Sequence, residues 1–242
     1  MYRDTESLKN EEVKEFFDKW KTYKKAMDLD YIGHRGAYDT LKKYVNSHYK
    51  ARPFSIIDFG CGDAEFMSEV LKETTIKGYK GIDLSPVVIK MAKKNMAGIK
   101  CSKEFKQADL MDCIGKGTRA DIVWTGLSIH HLPLEYKKKF IKKCGQIFSK
   151  EKGTLLIHEP LRRERESMKT YLKRLKNLCD KEWDELTTRQ KAEFYGHIEA
   201  TDLPEPLSFY QSIGKEAGFS SVDLLYMDKH DVHGVVVFTM GR

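Results

Sequence analysis

No stretch of the sequence is long and apolar enough to span a bilayer, and charge begins at Arg3 where a secretory leader would begin its apolar run. A soluble, cytoplasmic chain with no membrane partner is therefore expected. The five cysteines (Cys61, Cys101, Cys113, Cys144 and Cys179) are odd in number and widely spaced. They form no CxxC and no Cys/His pattern, which argues against a disulfide framework and against a zinc module. The His130-His131 pair belongs to no HExxH motif, and side chains of adjacent residues point apart, so no metal site is expected there. Internal repeats and low-complexity linkers are absent. Basic residues outnumber acidic ones, 43 to 36, for a net charge of +7, yet no basic motif interleaved with aromatics accompanies the excess. Lys42-Lys43, Lys93-Lys94, Lys137 to Lys139 and Lys142-Lys143 read as polar faces of helices rather than as a nucleic-acid track.

What is present is 242 residues of ordinary folded composition, 40% hydrophobic and 33% charged, enough for one sizeable core. The most informative stretch is SIIDFGCGDAEF, Ser55 to Phe66. An apolar run at Ile56-Ile57 reads as a buried strand ending at Asp58. Gly60 and Gly62 bracket Cys61, and helical spacing takes over at Phe66, Met67 and Val70. Strand, glycine turn and helix make the opening unit of a doubly wound α/β sheet, and glycines suit a turn where a ligand approaches bare backbone. The alternation continues with YKGID (79–83), Ser85-Pro86 as a helix start, a weak strand at 105–108, ADIVWT (120–125), and GTLLIH (153–158) ending in Glu159-Pro160. Ahead of it lie two amphipathic helices. One spans 8 to 28 with Val13, Phe16, Phe17, Trp20 and Met27; the other follows Gly33 with Ala37, Leu41 and Tyr44 inward. From 162 to 200 no strand is read. Met168, Tyr171, Leu172, Leu175, Leu178 and Trp183 recur at helical spacing, which predicts a helical insertion. A helix at 208–217 and strands at 222–226 and 234–238 close the chain, the last pair antiparallel because its connection is too short for a crossover. The expected organisation is N-terminal helices over 1–50, an α/β core over 51–161, a helical lid over 162–206, and a C-terminal helix and strand pair over 207–242.

A dinucleotide fingerprint needs a third glycine where this sequence has Glu65, so the turn favours a nucleoside without phosphates. Asp83, at the end of the second strand, is suited to accept both ribose hydroxyls through charge-assisted bonds. Asp109 can accept from an exocyclic amine while Leu110 offers its backbone N–H. Asp58 lies at the strand end below the turn, placed to orient its amides or to reach a ligand ammonium through water.

IIDFGCGDAEF, KGIDLSP, QADL and DIVWTGLSIHHLP, in this order, resemble the class I S-adenosylmethionine-dependent methyltransferases over roughly residues 50–160. The resemblance implies a Rossmann-like seven-stranded sheet with its last strand antiparallel. It also implies S-adenosyl-L-methionine as cofactor and S-adenosyl-L-homocysteine as product. One departure is Ala64, where many members carry a third glycine. Carried over by motif, Gly60, Cys61 and Gly62 border the methionine moiety and ribose, Asp83 holds the ribose, and Leu84, Asp109 and Leu110 meet the adenine. Thr125 and Gly126 pass the amino-acid portion. DYIGHRGAYDTL resembles a bacterial subset of small methyltransferases, and by that likeness Arg35 holds the cofactor carboxylate, with Tyr31 and His34 nearby. His130 is the expected pocket residue and catalytic candidate, His131 a packing or capping residue, and Glu159 a second catalytic candidate at the same rim. On the lid, Tyr195 and His197 are expected substrate contacts. The expected reaction is in-line methyl transfer to a small-molecule O, N, S or C nucleophile. The alternatives are an RNA or protein acceptor, suggested by the charge and Arg162-Arg163, or a non-catalytic cofactor-binding protein.

Overall fold

The computed structural model describes residues 21–115, 119–148 and 153–241. The first part of the predicted N-terminal helix, with Val13, Phe16, Phe17 and Trp20, lies outside them. Helix α1 (Lys21–Asp28) ends in a turn, and α2 (His34–Tyr49) begins straight after Gly33, whose φ of 68° suits the reversal between the two. Then come β1 (Phe54–Phe59), α3 (Glu65–Leu71), β2 (Ile76–Asp83), α4 (Pro86–Asn95), β3 (Ser102–Gln107), the single-turn α5 (Leu110–Cys113) and β4 (Ile122–Gly126). A 3-10 turn at Ile129–His131 leads to α6 (Leu134–Phe148) and β5 (Thr154–Arg162). The lid helices α7 (Met168–Glu182) and α8 (Thr188–Thr201) follow. The remaining elements are the two-residue β6 (Glu205–Pro206), α9 (Leu207–Glu216), β7 (Ser221–Met227) and β8 (His233–Thr239).

Seven strands run in the order β3-β2-β1-β4-β5-β8-β7, parallel except for β8, which pairs antiparallel with both β5 and β7. The expected sheet is therefore present, with one addition: β6 pairs with the end of β5, because β5 continues four residues past His158, to Arg162. Strand residues alternate between two cores, as a sheet covered on both faces requires. Ile56, Trp124, Leu156 and Val235 pack under α2, α3 and α4; Ile57, Val123, Leu155, Val236 and Phe238 pack under α6 and α9.

A third cluster sits apart from the sheet. Tyr171, Leu175, Cys179, Trp183, Phe194 and Ile198 of the lid close on Tyr23, Ala26 and Met27 of α1. Tyr31 stacks on Trp183 at 5.1 Å between ring centres, and Tyr23 lies parallel to Phe194 at 6.4 Å. The lid helices start on hydrogen-bonding side chains, Ser167 for α7 and a capping box of Thr187 and Gln190 for α8. One reading from sequence fails here. Lys137 is not on a polar face: it is fully buried, its Nζ donating to the Leu203 carbonyl and lying 3.1 Å from Glu205.

Candidate active site

β1 and β4 are neighbours at the point where the strand order reverses, and the crevice of an open α/β sheet forms outside the carboxyl ends of such strands. The loop after β1 shapes its floor. The amides of Gly60 and Cys61 both donate to the Ile82 carbonyl, at 2.8 and 3.0 Å, which pulls the loop across the end of β2. Gly60 is required twice over: its φ is 70°, and a Cβ there would fall 1.8 Å from Ser128 Oγ. The loop ends at Ala64, which occupies the left-handed region (φ 53°) immediately before α3. That is the position at which the family resemblance leads one to expect glycine.

Asp83 closes the same ring from below. Its carboxylate accepts from the Gly62 amide at 3.0 Å and from the Ser85 amide at 2.9 Å. Across the crevice Asp109 caps α5, accepting from the Met111 amide at 2.7 Å. A cavity of about 970 Å³, partly open to solvent, lies between these parts. It brings together His34, Gly60, Cys61, Gly62, Asp83, Leu84, Asp109, Leu110 and Gly126, nine of the residues expected from sequence. The lining carries four carboxylates (Asp63, Glu65, Asp83 and Asp109) and, among the described residues, no lysine or arginine.

Other expected residues are not on this wall. Arg35 is exposed on the outer side of α2; its guanidinium donates to the Asp28 carbonyl at 2.6 Å, and it borders a separate surface groove with Tyr38 and Lys42. Tyr31 belongs to the lid cluster, stacked on Trp183 with its hydroxyl 3.1 Å from Asp184. Asp58 and Thr125 lie buried beneath the floor. Burial lifts the Asp58 carboxyl to about 7, against the pull of the Tyr79 hydroxyl at 2.8 Å and with a further push from Asp83. Tyr195 sits on the outer part of the lid, its hydroxyl 3.4 Å from the Leu172 carbonyl.

The histidine pair differs from expectation in an informative way. A strand would send the two side chains apart, but a 3-10 turn holds them, and their rings lie 4.0 Å apart at 50°. His131 is the one that reaches the cavity. His130 is turned inward against Glu159, its Nδ1 in short contact with Oε2. Glu159 stands at no rim. It is wholly buried and accepts the amides of Ser128, Ile129 and His130 at 2.9, 2.9 and 3.1 Å, so it pins the turn. Burial raises its carboxyl to about 7, partly opposed by those amides and by Lys137. Burial also keeps both imidazoles neutral, well below the usual histidine range.

Behind the pair lies a second chamber of about 400 Å³, lined by Tyr23, Leu127, His130, His131, His197 and Asp202 among others. Tyr23, Leu127 and His131 line both chambers. Leu127 is held at a φ of 49°, an uncommon conformation for a leucine and a sign of backbone constraint between the two spaces. Several wall residues went unnoticed in the sequence. Tyr23 and Met27 carry a weak signal, being four apart on one helix face. Asp63 and Ser128 carry none, since each matters only through the loop that approaches it.

An open sheet reversing at β1 and β4, with a bare-backbone loop and an acidic strand-end residue, defines a doubly wound α/β fold with its crevice at the strand reversal. The comparisons with known proteins narrow that class. Residues 56–151 match the family model described as "Methyltransferase domain". Magnesium protoporphyrin IX methyltransferase from Synechocystis PCC 6803, with bound S-adenosylhomocysteine, superposes with a TM-score of 0.68 at 13% identity, covering 96% of this chain and 100% of that one. The plantazolicin methyltransferase in complex with a triazolic desmethylPZN analogue and S-adenosylhomocysteine gives a TM-score of 0.66 at 15% identity, covering 97% of this chain and 96% of that one. At such identities these likenesses speak for the fold. No curated protein matches the chain in sequence. Residues 56–151 thus match a methyltransferase domain, on a fold shared with both of these methyltransferase structures.

Proposed function

We propose that this chain transfers the methyl group of S-adenosylmethionine to a small-molecule nucleophile bound under the α7–α8 lid. The observation that carries this reading is the charge of the cavity wall: four carboxylates, of which Glu65 is paired with Lys24 at 2.8 Å, and no lysine or arginine among the described lining residues. Such a wall favours a sulfonium and an ammonium and repels a pyrophosphate, so it suits this cofactor and disfavours a dinucleotide. In this reading Asp83 grips the ribose hydroxyls, and Leu84, Asp109 and Leu110 surround the adenine. The backbone of Gly60 to Gly62 runs along the ribose and methionine portion, with Gly126 opposite. Asp63, whose Oδ2 has no hydrogen-bond partner, takes the amino-acid ammonium, and the carboxylate is left to backbone amides rather than to Arg35. The structures in the comparison that carry S-adenosylhomocysteine across the same fold support the cofactor; both act on small molecules by their names.

The acceptor occupies the second chamber, which shares three wall residues with the first. The sulfonium is already a good leaving group, so aligning a nucleophile with its methyl supplies most of the catalysis. His130, oriented by Glu159, and His197 line that chamber and are proposed as acceptor-side residues, with His131 between the two spaces. Arg162 and Arg163, the motive for an RNA reading, are paired with Glu205 at 3.4 Å and Asp231 at 2.5 Å. Calorimetry is the test. S-adenosylhomocysteine is expected to bind the wild type well ahead of NADH, and Asp83→Ala to bind it at least tenfold more weakly, with Asp83→Asn intermediate. NADH binding in preference, or unchanged affinity in a folded Asp83→Ala protein, would sink the reading.

A further inference from the structure

The joint between lid and core gathers three metal-type donors, two of them on the histidine turn beside the proposed acceptor chamber and the third, Asp202, from the lid. Leu203 donates its amide to the His130 carbonyl at 2.9 Å, and this brings Asp202, at the end of α8, against the histidine turn. His130 Nε2 is 3.6 Å and His131 Nδ1 3.4 Å from Asp202 Oδ1, and all three atoms lie within 4.8 Å of one another. Bonds of about 2.0–2.1 Å at tetrahedral angles place ligand atoms about 3.4 Å apart. The two distances to Asp202 Oδ1 fit that edge.

The outer shell is as telling as the inner one. His130 holds its Nδ1 against the Glu159 carboxylate, whose other contacts are three amides. A ring that donates there presents a bare lone pair at Nε2. His131 Nδ1 is buried, has no hydrogen-bond partner and is turned toward Asp202. With the His131 proton on Nε2, two imidazole lone pairs converge on one carboxylate oxygen, Asp202 Oδ1. A carboxylate behind a ligating imidazole, as Glu159 stands behind His130, is a usual means of fixing its tautomer. Asp202 is buried, and the same Oδ1 also takes a hydrogen bond from Thr201 Oγ1 at 3.2 Å.

We propose that His130 Nε2, His131 Nδ1 and Asp202 Oδ1 bind one divalent transition ion of the zinc class, which pins the end of the lid to the turn after β4. Two imidazoles and one carboxylate suit zinc over magnesium or calcium, which take oxygen donors. The fourth position is left for water or another oxygen ligand. The rival account is a proton held on Asp202, and the experiment separates the two without reference to methyl transfer.

The untagged, chelator-treated chain is titrated with Zn²⁺ by calorimetry and with Co²⁺ by visible absorption, alongside Asp202→Asn, His131→Ala and His197→Ala. One equivalent of zinc per chain is expected, with the visible band of four-coordinate Co²⁺. Asp202→Asn and His131→Ala should each weaken zinc at least tenfold, while His197→Ala, whose Nε2 is 3.3 Å from Thr201 Oγ1, should bind as the wild type does. Magnesium should not compete. No stoichiometric zinc on the folded wild type, which needs no variant to fold, overturns the proposal. So does equal affinity in wild type and Asp202→Asn.

Discussion

Ala64 and His34 show how single residues in the site carry conformational and electrostatic costs. Ala64 sits at a φ of 53°, where an L side chain costs about 1–2 kcal/mol, while a glycine there loses about 0.5–1 kcal/mol through the freedom of the unfolded chain. Ala64→Gly should therefore stabilise the fold by roughly 0.5–1 kcal/mol and raise the melting temperature by about 1–4 °C, read by calorimetry. His34 is buried among Tyr38, Phe66 and His158. Burial above all, then the charges of His233 and Lys24, brings its imidazole down to about 3. As pH falls below the ordinary value of about 6.5, the unfolded chain takes up a proton that the folded chain refuses, so this residue costs stability progressively toward pH 3. His34→Phe should accordingly lose less stability than the wild type between pH 7 and 5. Urea unfolding at both pH values measures the difference, and parallel losses would mean that His34 protonates in place. At this scale the glycine loop, Asp83 and Asp109 were legible in the sequence because each is a local signal, a strand end followed by a turn. Arg35 was not, since its side chain reaches the cavity only if that flank of α2 faces inward, and packing sends Ala37, Leu41 and Val45 inward instead.

The elements around the site are tied together by buried polar groups rather than by motif. Glu159 holds three amides of the 3-10 turn, and Lys137 on α6 reaches the exit of the lid at Leu203 and Glu205. Burial lowers the Lys137 ammonium from its ordinary range, with Glu205 pulling the other way. Lys137→Ala should cost at least about 2 kcal/mol, since it leaves a cavity and removes a donor from the Leu203 carbonyl. Lys137→Met, which keeps the volume, should cost less. Denaturant unfolding of both variants checks this, and equal losses would assign the whole effect to charge. A lysine in a run of three reads as solvated from sequence, because nothing local announces the lid segment that later covers it. The short β6 was missed for the same reason: two residues form a strand only because β5 runs on to Arg162.

Across the whole molecule, two cores clamp the sheet and a third, smaller cluster joins the lid to α1. Trp183 is central to that third cluster, stacked on Tyr31 and edge-on to Phe194 at 5.0 Å. Trp183→Ala should cost about 3–5 kcal/mol within the cluster. Because the cluster shares little with the sheet, hydrogen exchange should quicken over 168–201 while β1, β4 and β5 keep their protection. Uniform loss of protection would show instead that lid and core open as one unit. Tyr23 and Met27 belong both to this cluster and to the cavity wall, so loosening the lid should also weaken cofactor binding, though less than Asp83→Ala does.

The sequence by itself determined the order of strands and helices, the glycine loop and the acidic strand ends, because these follow from periodicity and turn chemistry within a few residues. Only the tertiary structure decided that His131 rather than His130 meets the cavity, that Glu159 and Lys137 are interior, and that Asp202 meets the histidine turn from seventy residues away. Those outcomes depend on how the lid seats against the sheet, which is a balance of burial over the whole surface and is written in no single segment.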